Sequence, residues 1–225
     1  TGAVCVYHEM VETAVRALEG SGIPVAAVST GFPAGLSPFP LRIAEIGASV
    51  RAGAAEIDIV ISRRHVLTGN WQALYDEMRE MRAACGEAHV KAILATGELQ
   101  TLRNVARASL VCMMAGADFI KTSTGKSGTG ASRDAARVML NAILAVPRSV
   151  GLKPSGGIRS FADAAAYLAL ADDRMGPGWA QPDTFRFGAS GLHDALAAVI
   201  LDAAPTTSKP STSATINSIR LRPCW

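Results

Sequence analysis

The sequence predicts an α/β fold, a TIM-type (β/α)8 barrel in which seven strands are recognisable and the first is missing. Three observations carry that expectation. Short apolar runs alternate with longer segments of helical period, seven times over. Most of the runs are apolar on consecutive residues, as parallel strands are when helices cover the sheet. Charged, hydroxyl and glycine residues also recur at the C-terminal ends of many separate runs: Asp58, Thr96-Gly97-Glu98, Lys121, Lys153, Gly188 and Ser190. A barrel draws its ligand groups from the whole top rim, whereas an open doubly wound sheet gathers them at one switch point. His8-Glu9-Met10, after the first run, lacks the glycine fingerprint of a dinucleotide fold.

The expected strands are residues 3–7, 25–30, 56–61, 90–96, 118–123, 150–154 and 185–189. Between them the helical period covers 10–18, 41–52, 71–85, 99–115, 133–146, 161–171 and 192–203. Short returns containing Gly53, Gly86 and Gly116 join helix to strand, which fits right-handed βαβ units. Residues 1–204 are expected to form the barrel domain. Residues 205–225 begin Pro-Thr-Thr-Ser-Lys-Pro-Ser and read as a disordered tail, with 214–221 its one weakly strand-like stretch. A barrel without its first strand leaves two unpaired edges.

Composition narrows the function. The chain has 225 residues, 49% of them hydrophobic and only 5% aromatic, so one sizeable core is built from aliphatic side chains. Charges interrupt every long apolar run, and no membrane span is expected. The net charge is +3, and the tail cations Lys209, Arg220 and Arg222 account for all of it. The balanced body offers no basic stripe for nucleic acid. Cys5, Cys85, Cys112 and Cys224 form no CxxC pair and read as free thiols of a reducing, cytoplasmic setting. The four histidines are dispersed, so neither a metal nor another cofactor is expected.

The chemistry concentrates in two stretches, Asp118-Phe119-Ile120-Lys121-Thr122-Ser123-Thr124-Gly125-Lys126 and Gly151-Leu152-Lys153-Pro154-Ser155-Gly156-Gly157-Ile158-Arg159. Each sets a lysine in an apolar strand that runs into glycines. A buried ammonium costs several kcal/mol unless it is paired or neutralised. A lone strand lysine is best read as snorkelling to the rim or paired with a carboxylate. Two on neighbouring strands point instead to function, because repulsion between cations leaves one a free amine able to attack a carbonyl. Strand alternation puts Gly151 on the face of Lys153, where it is expected to leave room for that side chain. Asp58, in the apolar run Glu56-Ile57-Asp58-Ile59-Val60-Ile61, shares a face with Glu56 and Val60. It either balances a lysine structurally or relays protons through water, and the strand alone does not separate the two. Gly156-Gly157 and Gly188-Ala189-Ser190-Gly191 resemble backbone nests opening onto helix N-termini, where a barrel commonly holds phosphate. Lys126 adds a cation near that rim, with a solvated surface lysine as its default reading.

Through these motifs the chain resembles the deoxyribose-phosphate aldolase family, class I aldolases on a TIM barrel. Gly31-Phe32-Pro33-Ala34-Gly35, Leu67-Thr68-Gly69-Asn70 and Phe185-Arg186-Phe187-Gly188-Ala189-Ser190 support the likeness. The resemblance implies that Lys121 forms a Schiff base with acetaldehyde, that Lys153 lowers its pKa and that Asp58 belongs to the proton relay. It implies that Thr124 and Lys126 contact the acceptor aldehyde, and that Gly156, Gly157, Gly188 and Ser190 hold its phosphate. The implied reaction is reversible cleavage of 2-deoxy-D-ribose 5-phosphate to acetaldehyde and D-glyceraldehyde 3-phosphate, in deoxyribonucleotide catabolism. Two other readings stand beside it: a barrel isomerase using Asp58 as base, which leaves the paired lysines unexplained, and an incomplete barrel that acts only as a binding protein. Open edges and apolar helix faces are compatible with a homodimer.

Overall fold

The computed structural model describes residues 1–126, 128–189 and 191–203. Six strands lie side by side in chain order: β1 (Val4–Val6), β2 (Val25–Ser29), β3 (Glu56–Val60), β4 (His89–Ile93), β5 (Phe119–Lys121) and β6 (Gly151–Lys153). Every neighbouring pair is parallel. Helices α1 (Val11–Ala17), α2 (Phe39–Arg51), α3 (Arg63–Leu67), α4 (Trp71–Cys85), α5 (Leu102–Met114), α6 (Arg133–Leu144), α7 (Phe161–Met175) and α8 (Gly191–Ala203) fill the connections.

The two faces of the sheet differ in kind. Ile57, Ile59, Val90, Ala92, Ile120 and Leu152 point outward and join the core beneath the helices. The alternate residues point inward, and the register aligns them in rows. Asp58 lies opposite Lys91, Lys91 opposite Phe119 and Phe119 opposite Gly151. One row higher, Lys121 lies opposite both Ile93 and Lys153. The sheet is curled, not flat. At about 4.8 Å per strand, β3 and β6 would stand about 14 Å apart in a flat sheet, beyond the combined reach of their side chains. Yet Asp58 of β3 meets Lys153 of β6 at 2.8 Å.

The seventh predicted strand is reduced to two bridge pairs, Leu152 with Phe185 and Ser155 with Gly188. The cause is Pro154. Leu152 donates to the Thr184 carbonyl and Gly188 to the Pro154 carbonyl, but Pro154 has no N–H to continue the ladder towards the carbonyl of Arg186. Capping residues set the helix starts. Asn70, Thr101 and Ser132 each accept the backbone N–H three residues on. Thr101 is why α5 begins at Leu102 instead of residue 99, with Thr96–Glu98 forming a separate 3-10 turn. The short helix α3 carries no periodic signal of its own and was not expected. The proposed end of the domain at 204, the tail 205–225 and its strand-like stretch lie outside the described residues. Among the described residues no helix is long and apolar enough to cross a membrane.

Gly151 corrects one expectation. A Cβ there would come within 2.2 Å of the Phe119 ring, so the glycine makes room for Phe119 and not for Lys153. The rigid ring and the strand backbone leave little scope for relief. Gly151→Ala is therefore expected to destabilise the fold by about 1–3 kcal/mol. Combining it with Phe119→Leu should recover part of that loss. Denaturant unfolding of the two variants measures both effects, and a single variant as stable as the parent would contradict the packing described.

Candidate active site

The inward rows bring Asp58, Lys121 and Lys153 together at the centre of the curl. Lys121 Nζ and Lys153 Nζ each donate to Asp58 Oδ2 at 2.8 Å, so twice that length is the most that can separate the amines. Asp58 is wholly buried, and Lys121 is 2% exposed. A cation that the sequence reading overlooked completes the cluster. Lys91 of β4, also wholly buried, lies 3.1 Å from Asp58 Oδ1. Its hydrogen bond goes to Glu56 Oε2, and Asp58 Oδ1 is left without an aligned donor among the described residues. Arg186 Nη1 in turn donates to both carboxylate oxygens of Glu56 at 2.8 Å.

Four cations therefore share two carboxylates in a space with almost no access to water. Burial alone would raise the carboxyl of Asp58, yet Lys121, Lys153 and Lys91 hold it well below the usual carboxylate range. Glu56 behaves alike, with burial opposed by Lys91 and then Arg186, and its pKa is lowered. Burial is the largest influence on Lys121. Together with the Lys153 cation it holds the amine below the ordinary lysine range, against the attraction of Asp58. Burial is again the largest influence on Lys153 and acts in the same sense, but there Asp58, Cys5 and Glu56 together outweigh it and the pKa is raised. The two lysines are thus not equivalent: Lys121 is the one whose charge is disfavoured. Mutual repulsion is only part of the cause, since desolvation leads and an acid lies between the amines. Cys5 of β1 faces the same space, its thiol pushed up by burial and by Asp58 against the pull of the three lysines.

The remaining predicted residues form the rim. Thr124 is buried, its hydroxyl accepting the Lys126 amide at 3.2 Å, while the Lys126 side chain is exposed. Gly156 and Gly157 follow β6 with φ of 89° and 84°. Gly156 is pressed against neighbouring backbone, since a Cβ would lie 2.9 Å from Gly130 Cα. Gly188 clears space of another sort. A Cβ there would strike Ser155 Oγ at 2.4 Å and Ser155 Cβ at 2.8 Å, so this glycine makes room for the Ser155 side chain. The N-terminus of α7 is occupied internally by a capping box, in which Asp163 accepts the Arg159 and Ser160 amides. Ser190 lies outside the described residues.

Sequence reasoning missed Lys91, Arg186 and the placement of Cys5. Lys91 was within reach: Val90-Lys91-Ala92-Ile93 is a lysine inside an apolar run, the same signal that singled out Lys121 and Lys153. Arg186 had none, because its role depends on the curl that brings its segment across to β3.

Residues 1–190 match the family model described as DeoC/LacD family aldolase. The chain is 54% identical over 198 residues to deoxyribose-phosphate aldolase of Homo sapiens, an alignment that covers 85% of this chain and 62% of the human protein. It thus spans less than two thirds of that relative's length. Among solved structures, QR15, an aldolase, superposes with a TM-score of 0.74 at 26% identity, over 90% of this chain and 84% of its own. Deoxyribose phosphate aldolase of Aeropyrum pernix, at 24% identity and a TM-score of 0.70, covers 88% of this chain and 77% of its own, and shows a shared fold. With six parallel strands curled as part of a (β/α)8 barrel, the chain belongs to the DeoC/LacD family of aldolases.

Proposed function

We propose that this chain carries the chemistry of a class I aldolase, with Lys121 as the amine that forms a Schiff base. The observation that supports it most directly is the Lys121 amine itself. It is enclosed, held below the ordinary lysine range, and bonded to a carboxylate it shares with a second lysine. Nζ attacks the carbonyl carbon of acetaldehyde, and the carbonyl oxygen takes up a proton to give a carbinolamine. Loss of that oxygen as water leaves the imine. A proton then leaves the methyl carbon, and the resulting enamine carbon bonds to the carbonyl carbon of the acceptor aldehyde. Hydrolysis returns Lys121 and releases the product.

Asp58 suits the proton steps, because Oδ2 touches both amines while Oδ1 has no aligned donor. Lys153 keeps its proton and acts as the fixed cation and proton donor beside the reacting nitrogen. In this reading Thr124 and Lys126 meet the acceptor, and the turns of Gly156-Gly157 and Gly188-Ser190 hold its phosphate. The substrate is then 2-deoxy-D-ribose 5-phosphate, a small phosphorylated sugar, cleaved to acetaldehyde and D-glyceraldehyde 3-phosphate. The identity with the human enzyme supports this choice of sugar. A cytoplasmic place in deoxyribonucleotide catabolism and self-association as a homodimer accompany the proposal.

Borohydride with acetaldehyde should attach a reduced two-carbon adduct to Lys121, located by peptide mass mapping, and Lys121→Ala should abolish it. An unlabelled parent, under conditions that label a longer relative, would end the imine reading. The pH dependence has a definite sign. A depressed amine is free above its own pKa, so trapping should rise with pH and reach half its plateau below the ordinary lysine value of about 10.4. Lys153→Met removes a repelling cation and leaves Asp58 more fully to Lys121, both of which favour the protonated amine. The half-plateau pH should rise by about one unit. A fall, or no change, would contradict the role given to Lys153.

A further inference from the structure

Beyond the three residues that touch the reacting groups, the interior holds a second ion pair with no part in the steps above. Arg186 comes from the segment after β6, whose ladder Pro154 has interrupted. From there it crosses the curl to Glu56 at the start of β3, giving both oxygens the same Nη1 at 2.8 Å. Its other contacts hold it still. Nε donates to the Pro182 carbonyl at 2.7 Å, and the guanidinium lies 5.4 Å from the Phe119 ring centroid. A Cβ on Gly2 would come within 3.2 Å of Nε, so the chain ahead of β1 closes the remaining side. Nothing exposed is gained by this pair, and a well-packed apolar pair of similar volume would often be as stable or more so. Its position relative to Asp58 supplies another reason for it.

We infer that Glu56 and Arg186 are positioning residues for the Lys121 centre: Glu56 draws the aligned hydrogen bond of Lys91 away from Asp58, and Arg186 offsets the Glu56 charge. This inference rests on the imine reading of Lys121. Lys91 lies within 3.1 Å of Asp58 Oδ1 but spends its aligned hydrogen bond on Glu56, which leaves Oδ1 free. Without the Glu56 charge, Lys91 would turn to Asp58, its other acid among the described residues. It would then occupy Oδ1 and compete with Lys121 and Lys153 for the same carboxylate. Without Arg186 the reverse holds: Glu56 keeps its full charge, binds Lys91 more tightly and adds uncompensated negative potential to the chamber. Among the described residues, Asp58 from β3, Lys153 from β6 and Cys5 from β1 act on Lys121 directly, and Lys91 from β4, Glu56 from β3 and Arg186 join the same cluster through Asp58 and one another. Each substitution changes one of them.

The pair therefore has a signature that a purely structural ion pair lacks. Glu56→Gln removes an anion and frees Lys91 to compete, and both effects disfavour the protonated Lys121 amine. Arg186→Gln removes a cation, and both of its effects favour protonation. The test is borohydride trapping of acetaldehyde on Lys121 as a function of pH, in the parent and the variants, with a thermal melt on each. The half-plateau pH is expected to fall in Glu56→Gln and to rise in Arg186→Gln, each by about half a unit or more. The double variant should return towards the parent, and Arg186→Lys, which keeps the charge, should stay near it. Coincident midpoints on a labelled parent, or shifts of the same sign, would overturn this inference and leave the imine reading intact. An unlabelled parent would overturn both. Where Glu56→Gln does not fold, the contrast between Arg186→Gln and Arg186→Lys decides alone: equal midpoints in those two refute the inference.

Discussion

One carboxylate, that of Asp58, holds the interior of this protein together. Three lysines from three neighbouring strands converge on it, and none of the four groups has appreciable contact with solvent. Bringing an ammonium out of water is costly enough that a buried lysine survives only with a close counter-charge. Asp58 is also why the curl and the chemistry cannot be separated. Its contact with Lys153 spans strands that a flat sheet would keep apart, so the ion cluster exists only in the curved sheet and helps to hold that curve.

The two faces of each strand carry different tasks. Outward residues, dominated by Ile, Val, Ala and Leu, pack beneath the helices and supply apolar burial. Inward residues at the same strands include the charged groups, with Phe119, Gly151 and the aliphatic Val28, Val60 and Ile93 among them. Even the apolar interior side chains serve the charged ones. Gly151 leaves space for Phe119, and the Phe119 ring lies against Arg186. Arg186 then holds Glu56, and Glu56 holds Lys91. A position without a side chain on β6 thereby influences the placement of a lysine two strands away.

Most of the fold was legible in the sequence because strand period and cap residues are local signals. Six of the seven expected strands form, and Asn70, Thr101, Ser132 and Ser160 mark helix starts where a hydroxyl or amide side chain can reach the third amide. The seventh strand failed for a reason that is visible only in pairing, the missing N–H of Pro154 opposite Arg186. The site divided along the same line. Lys121, Lys153 and Asp58 announce themselves as charges in apolar strands. Lys91 carried the same mark, and its omission was an error of reading and not of information. Which lysine is the depressed one, and what Gly151 makes room for, are not local properties. Both depend on which side chains the curl brings opposite each other.

The asymmetry between the two amines follows from that geometry. Both bond the same oxygen of Asp58 at the same distance, so the acid alone does not distinguish them. Lys121, on β5, lies opposite Lys153 on β6 and Ile93 on β4, and it is the more deeply buried of the two amines, 2% against 7% exposed. Lys153 has Lys121 on one side and, on the other, Gly188, whose carbonyl accepts the Ser155 hydroxyl. For Lys121, burial and then the Lys153 cation prevail over the attraction of Asp58, and it is the one that loses its proton more readily. Lys153 keeps its charge more readily, so a single carboxylate holds two amines of unlike basicity side by side.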